Sequence, residues 1–180
     1  MTLARYSISV IVAAMFSMGA TEAQPPALDP VVVEALVNAP VEAVWKAFTE
    51  KPVIEKWMVA KTDLELKVGG TWRTSYSKDS DLNDERSIHH TILAFDPERM
   101  LAFRTIKTPK DFPYPAITRT WTVVYFELAG PGKTRVSTRM MGFENDEQGR
   151  AMRAFFERGN RTEMDALVKF FETGIPQRVQ

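Results

Sequence analysis

The spacing of apolar positions changes period several times along this chain, and the changes mark its elements. Residues 31–37, Val-Val-Val-Glu-Ala-Leu-Val, are mostly β-branched and predict a first strand. Asn38-Ala39-Pro40 ends it; Pro40 suits the first turn of a helix, with Asn38 or Ala39 near the cap. Val41, Val44, Trp45 and Phe48 then recur at helical spacing, and a second short helix is expected over 52–57, with Pro52 at its start. Next the period falls to two. Leu64, Leu66 and Val68 alternate with Asp63, Glu65 and Lys67, which predicts a half-buried strand closed by Gly69-Gly70. Trp72, Thr74 and Tyr76 continue the alternation in the next strand, and residues 77–85 read as a polar, acidic loop.

Two strands over 87–95 and 100–106 flank the turn Asp96-Pro97-Glu98-Arg99. A hairpin over 120–128 and 134–141 surrounds Ala129-Gly130-Pro131-Gly132-Lys133. In its first strand Thr122, Val124, Phe126 and Leu128 form one face, yet Trp121, Val123 and Tyr125 make the other face apolar too. Half-buried strands normally show polar residues outside. Either another element covers that face or it is a contact surface, and a homodimer contact is the expectation. The connection 107–119 is long and holds Pro109, Pro113 and Pro115 around Phe112 and Tyr114. Prolines limit its freedom and the aromatics give it something to bury, so it is expected to fold over one end of a pocket as a lid.

The chain closes with one helix over 147–173, about seven turns long. Met152, Phe156, Gly159, Glu163, Leu167 and Phe170 mark one side of it. The stripe is apolar at both ends and polar in its centre, from Arg158 to Glu163. A helix that caps a solid core keeps its stripe apolar throughout. A softened middle, after a run of strands, points to a sheet wrapped round a helix with a pocket between them. Strand, two short helices, six strands and a long helix make an α+β fold.

Composition adds an address. The 180 residues are 44% hydrophobic and carry 23 basic and 23 acidic side chains. One domain with a sizeable core is expected. Balanced charge argues against a nucleic-acid or anionic-membrane partner. Residues 1–23 have the layout of a secretory signal peptide: Arg5 ahead of the apolar run from Ile8 to Met18, then Thr21-Glu22-Ala23 as a small-residue cleavage site. That run is short for a membrane span. Cleavage after Ala23 would begin the mature chain at Gln24, in the periplasm or outside the cell. Residues 24–30, with three prolines, form a linker, 31–175 the domain and 176–180 a tail. There is no cysteine, which excludes thiol catalysis, cysteine-zinc sites and a lipoprotein anchor.

Several pieces of the sequence resemble one superfamily. Asn38-Ala39-Pro40-Val41-Glu42-Ala43-Val44-Trp45-Lys46-Ala47-Phe48-Thr49, then Trp57, then Val68-Gly69-Gly70-Thr71-Trp72-Arg73 are similar to the START/polyketide-cyclase-like helix-grip (SRPBCC) superfamily. Within it, Phe95-Asp96-Pro97-Glu98-Arg99-Met100-Leu101, Lys133-Thr134-Arg135-Val136-Ser137 and Gly142-Phe143 resemble the domain named for activators of the heat-shock chaperone ATPase. The likeness spans about residues 31–173. It implies an antiparallel sheet curved around the long C-terminal helix, with two short helices after the first strand. The superfamily includes lipid carriers, cyclases and chaperone co-factors. His90 stands near a place where the family often has Gly, and Phe155-Phe156 where it often has Trp.

Candidate chemistry is sparse. His89 and His90 are the only histidines, and neighbours on a strand point to opposite faces, so no metal site is expected. His90 is either a partly exposed strand histidine or a polar group in the pocket. No serine sits in a nucleophile elbow, and Gly69-Gly70 leads into a strand, not a phosphate-binding helix. Trp45 shares a face with Val41 and Phe48 and belongs to the core. Trp57 and Trp72 suit either core or pocket wall. The expected walls are Trp57, Trp72, Phe103, Phe126, Phe155 and Phe156. Asn160, Glu163 and His90 would orient a ligand, Gly159 would clear space for it, and Phe112 and Tyr114 would form the lid. The leading expectation is a binder of a small hydrophobic or amphipathic molecule, with no cofactor. The alternatives are a protein-interaction module using the outer sheet face and a cyclase- or hydrolase-type enzyme with a pocket acid or base.

Overall fold

The computed structural model describes residues 27–175. The expected signal peptide, the first three residues of the expected linker and the tail from 176 onward lie outside the described residues. The elements run β1 (Val31–Val37), α1 (Val41–Thr49), α2 (Lys51–Trp57), β2 (Lys61–Leu64), β3 (Thr71–Ser75), β4 (Ile88–Asp96), β5 (Met100–Lys107), a 3-10 turn (Pro115–Arg119), β6 (Trp121–Leu128), β7 (Thr134–Met141) and α3 (Glu147–Thr173). All seven strands join one antiparallel sheet in the order β1-β7-β6-β5-β4-β3-β2. From β2 to β7 each strand pairs with its neighbour in sequence; β1 alone crosses over, to pair with β7 along its whole length. This is the α+β helix-grip fold, with α3 held against the sheet.

Local chemistry explains the main boundaries. Asp146 caps α3 by accepting a hydrogen bond from the Gly149 N–H, 2.6 Å away. Gly174 ends the same helix at φ 64°, a left-handed conformation that glycine adopts without a Cβ penalty. Pro40 itself, not Asn38 or Ala39, is the N-cap of α1, and its extended backbone supplies no side-chain cap. On β6 and β7 the alternation puts Val124, Phe126, Val136 and Met140 inside, all at most 4% exposed.

The core gathers between α1, α2, α3 and the sheet, and it takes two residues expected in the pocket. Trp57 is fully buried; its indole N–H donates to the Ala47 carbonyl at 2.8 Å, and its ring meets Phe48 edge-on. Phe126 packs edge-on against both Trp45 and Phe48. Each aromatic edge is already engaged by a ring or a carbonyl, so these side chains weld α1 and α2 to the sheet.

Three further expectations change. β2 stops at Leu64, and Val68 is exposed, because residues 65–70 fold back in a turn: Gly69 N–H donates to the Ile92 carbonyl and Ile92 N–H to the Gly70 carbonyl. Leu128 is exposed next to the hairpin turn instead of completing the inner face. The connection 107–119 contains the 3-10 turn that Pro115 begins, and Ile117 anchors it in the core. The outer face of β6 is partly covered from within the chain. Gly142, at φ 90°, lies so close to Trp121 that a Cβ there would sit 2.8 Å from the indole ring, and the Arg139 guanidinium stands 5.9 Å from the Tyr125 ring centre.

Candidate functional site

Between the sheet and α3 lies a cavity of about 240 Å³. Its floor comes from alternate residues of the central strands: Trp72 and Thr74 on β3, Phe103 and Thr105 on β5, Thr122 and Val124 on β6. Its roof is the middle of α3, where Phe155, Phe156, Asn160, Glu163 and Met164 reach in. The connection after β5 closes one side with Thr108, Pro109 and Phe112.

A β-bulge places His90. The β4–β5 register slips between His89 and His90, so that His89 faces Lys107 while His90 faces Thr105. His90 Nδ1 lies 3.1 Å from the Thr105 hydroxyl, and its ring packs with Trp72 and Phe103. Burial, aided by the neighbouring His89, pushes its pKa down to about 3, so the imidazole is neutral at any ordinary pH. His89 instead reaches the Leu82 carbonyl and the Ser87 hydroxyl, away from the pocket. Trp72 spends its indole N–H on the Thr62 hydroxyl at 2.9 Å and offers the pocket an apolar face.

A second aromatic group stands opposite. Phe112, Tyr114, Phe155 and Phe156 form a connected cluster with ring centres 5.2 to 6.2 Å apart. Phe112, Phe155 and Phe156 line the cavity, whereas Tyr114 packs behind Phe112 and Phe155 and does not line it.

On the roof, Asn160 and Glu163 add polar groups from α3, with Tyr76 beside Glu163. Burial raises the Glu163 carboxyl from its ordinary 4.5 to about 7, a shift that a hydrogen bond from the Tyr76 hydroxyl partly offsets. Burial and then the Glu163 charge raise the Tyr76 phenol in turn. Tyr76 as a whole residue is 48% exposed, so the effect belongs to its hydroxyl end. One turn away, Asn160 Nδ2 is buried without a hydrogen-bond acceptor among the described residues. A buried donor left unmade costs about 1–3 kcal/mol.

The cavity thus brings together Trp72, His90, Phe103, Phe112, Phe155, Phe156, Asn160 and Glu163 of the expected set. Trp57 and Phe126 lie in the core, and Tyr114 stands one layer back. Gly159 faces solvent: a Cβ built on it meets nothing within 4 Å. The inward side of α3 is centred on Met152, Phe156, Asn160 and Met164, and Gly159 lies on its exposed flank, between Phe155 and Glu163. Of the lining residues outside the expected set, Tyr76 is the titratable one, and its place in an alternating run was its only signal in the sequence. Among the described residues no group of three or more His, Asp or Glu side chains is arranged to hold a metal ion. No helix among them is long and apolar enough to cross a membrane.

A family model described as activator of Hsp90 ATPase homolog 1-like protein matches residues 38–172. Solved structures share the architecture. The crystal structure of MLL2253 from Mesorhizobium loti is 23% identical, with a TM-score of 0.62 over 79% of this chain and 96% of that one. SSP2350 from Staphylococcus saprophyticus is 18% identical, with a TM-score of 0.64 over 84% of this chain and 97% of that one. The solution structure of the Aha1 dimer from Colwellia psychrerythraea is 14% identical, with a TM-score of 0.61 over 82% and 98%. At such identities the likeness is one of fold. A search of curated proteins finds no match.

Proposed function

The chain belongs to the family of activator of Hsp90 ATPase homolog 1-like proteins, and from that premise we propose that it is an exported protein holding a small hydrophobic or amphipathic molecule in its internal pocket. The observation that carries this reading is the cavity between sheet and α3, walled by two aromatic clusters and furnished with a few convergent polar groups. That is the usual make-up of a small-molecule site. Filling the same space with ordinary core side chains would have stabilised the fold, so the softened middle of α3 is a cost that a ligand offsets. The family's name describes a chaperone activator and is not carried to this chain.

Native mass spectrometry of the protein purified from its own compartment tests the reading. A retained apolar molecule of defined mass is expected. Protein that is empty, and that also fails to take up an apolar fluorescent probe, would overturn it. Export has its own test: N-terminal sequencing is expected to find a mature chain starting near Gln24, and intact Met1 on a cytoplasmic protein would remove that part.

One observation favours a second reading, a cyclase- or hydrolase-type enzyme. Glu163 keeps its proton to about pH 7 beside the Tyr76 hydroxyl, as a pocket acid or base would. Turnover of a bound molecule that Glu163→Gln abolishes while binding persists would decide for it.

A further inference from the structure

We infer that the pocket selects an uncharged ring compound bearing one oxygen function, a ketone or a hydroxyl, seated between Asn160 and Glu163. This rests on the pocket reading above and goes on to specify the ligand's charge, shape and polar group.

Shape comes from the volume and the walls. A cavity of roughly 150 Å³ lined by apolar side chains accommodates benzene. This one, at about 240 Å³, has space for one or two fused rings. The Trp72, His90 and Phe103 rings stand on the sheet side, with centres 5.0 to 5.4 Å apart. Phe112, Phe155 and Phe156 face them from the connection and the helix. A flat ring between two such clusters meets edges and faces at once.

Charge comes from the lining. No Lys or Arg lines the cavity; Tyr76, His90 and Glu163 are its titratable groups. His90 is neutral, so a ligand carboxylate or phosphate would be stripped of water and find no cation. An ammonium ion could pair with ionised Glu163, but it has only donors to offer and would leave the Asn160 amide donor unmet.

The polar group comes from spacing. Asn160 and Glu163 lie three apart on α3, so their Cβ atoms are neighbours about 5–6 Å apart. A single ligand oxygen placed between them accepts from Asn160 Nδ2. A ketone can accept a second hydrogen bond from protonated Glu163, whereas a hydroxyl donates to the same carboxyl. Either way the orphaned amide donor gains its acceptor.

The test compares four probes of one ring system by titration calorimetry at about pH 6: naphthalene, naphthol, naphthoate and the naphthylmethylammonium ion. Naphthol is expected to bind about tenfold tighter than naphthalene, the yield of one or two good hydrogen bonds. Both ions are expected to bind more weakly than naphthalene. Asn160→Leu is expected to lower the ratio of naphthol to naphthalene affinity severalfold, and Asn160→Leu combined with Glu163→Leu to bring it close to one. Naphthol no tighter than naphthalene, or either ion the preferred probe, overturns the inference while leaving the pocket reading in place. Failure of all four, naphthalene included, overturns the pocket reading and the inference together.

Discussion

Replacing Glu163 by glutamine should stabilise the protein at alkaline pH and do nothing in acid. In the folded chain the carboxyl releases its proton near pH 7, against an ordinary 4.5. Between those values the folded state binds more protons than the unfolded state. Stability therefore falls as pH rises through this window, and the loss is complete above the folded value. A shift of that size corresponds to about 3 kcal/mol at full strength. Glu163 is half-buried by area, so solvent screening reduces the observable part to about 1–2 kcal/mol. Glutamine keeps the shape and an acceptor for the Tyr76 hydroxyl but has no charge to bury. Urea unfolding of parent and Glu163→Gln at pH 4 and pH 8 provides the measurement. The two should match at pH 4. At pH 8 the variant should gain that 1–2 kcal/mol, or roughly 3–6 °C in melting temperature. Neutral burial of His90 also lowers stability as pH falls from about 6.5 toward 3, but it is common to both proteins and cancels in the difference. The same difference at both pH values, or a less stable variant at pH 8, would refute the argument that Glu163 is desolvated by the pocket.

Gly159→Ala should raise stability by about 1 kcal/mol with ligand affinity unchanged, since the new methyl enters open space on an exposed helix face; calorimetry and probe titration check both halves. Phe112→Ser combined with Tyr114→Ser should speed release of a bound probe while moving the melting temperature little, because both rings are only half-buried; stopped-flow release at the parental rate would show that this connection is no gate. Trp57→Phe should cost about 2–4 kcal/mol in urea unfolding, through lost volume and the orphaned Ala47 carbonyl, without changing probe affinity.

How far the residues announced this arrangement depends on the range of the interaction behind each feature. The span of α3 was legible in its apolar spacing, and the Asp146 cap and Gly174 stop that fix its ends in the structure are equally local. The hairpin of β6 and β7 was legible for the same reason, since period-two patterning and Gly-Pro-Gly punctuation act over a few residues. Rotation of α3 about its own axis was not. One residue is about 100° of turn, so the same apolar content is compatible with Gly159 or Asn160 facing inward, and only the packing against the sheet decides it. Trp57 and Trp72 look alike as residues. Their different places follow from partners far along the chain: Ala47 and Phe48 around one, Thr62, His90 and Phe103 around the other. The pairing of Tyr76 with Glu163 spans nearly half the sequence and leaves no local mark. His90 needed a bulge to face inward, and a one-residue register slip is invisible in composition.

The pairing of β1 with β7 also dictates the order in which the chain can be completed. Val31 lies opposite Met140 and Val37 opposite Thr134, so β1 has no sheet partner until about a hundred further residues have been made. Arg153 strengthens the tie by donating to the carbonyls of Asp29 and Pro30, at 2.9 and 3.2 Å. Such distant contacts carry a loop-closure cost that makes them slow to form. A polypeptide threaded head-first through a narrow channel has to remain unfolded while it passes. In this chain β1 can pair with β7 only when both lie on the same side of any such channel.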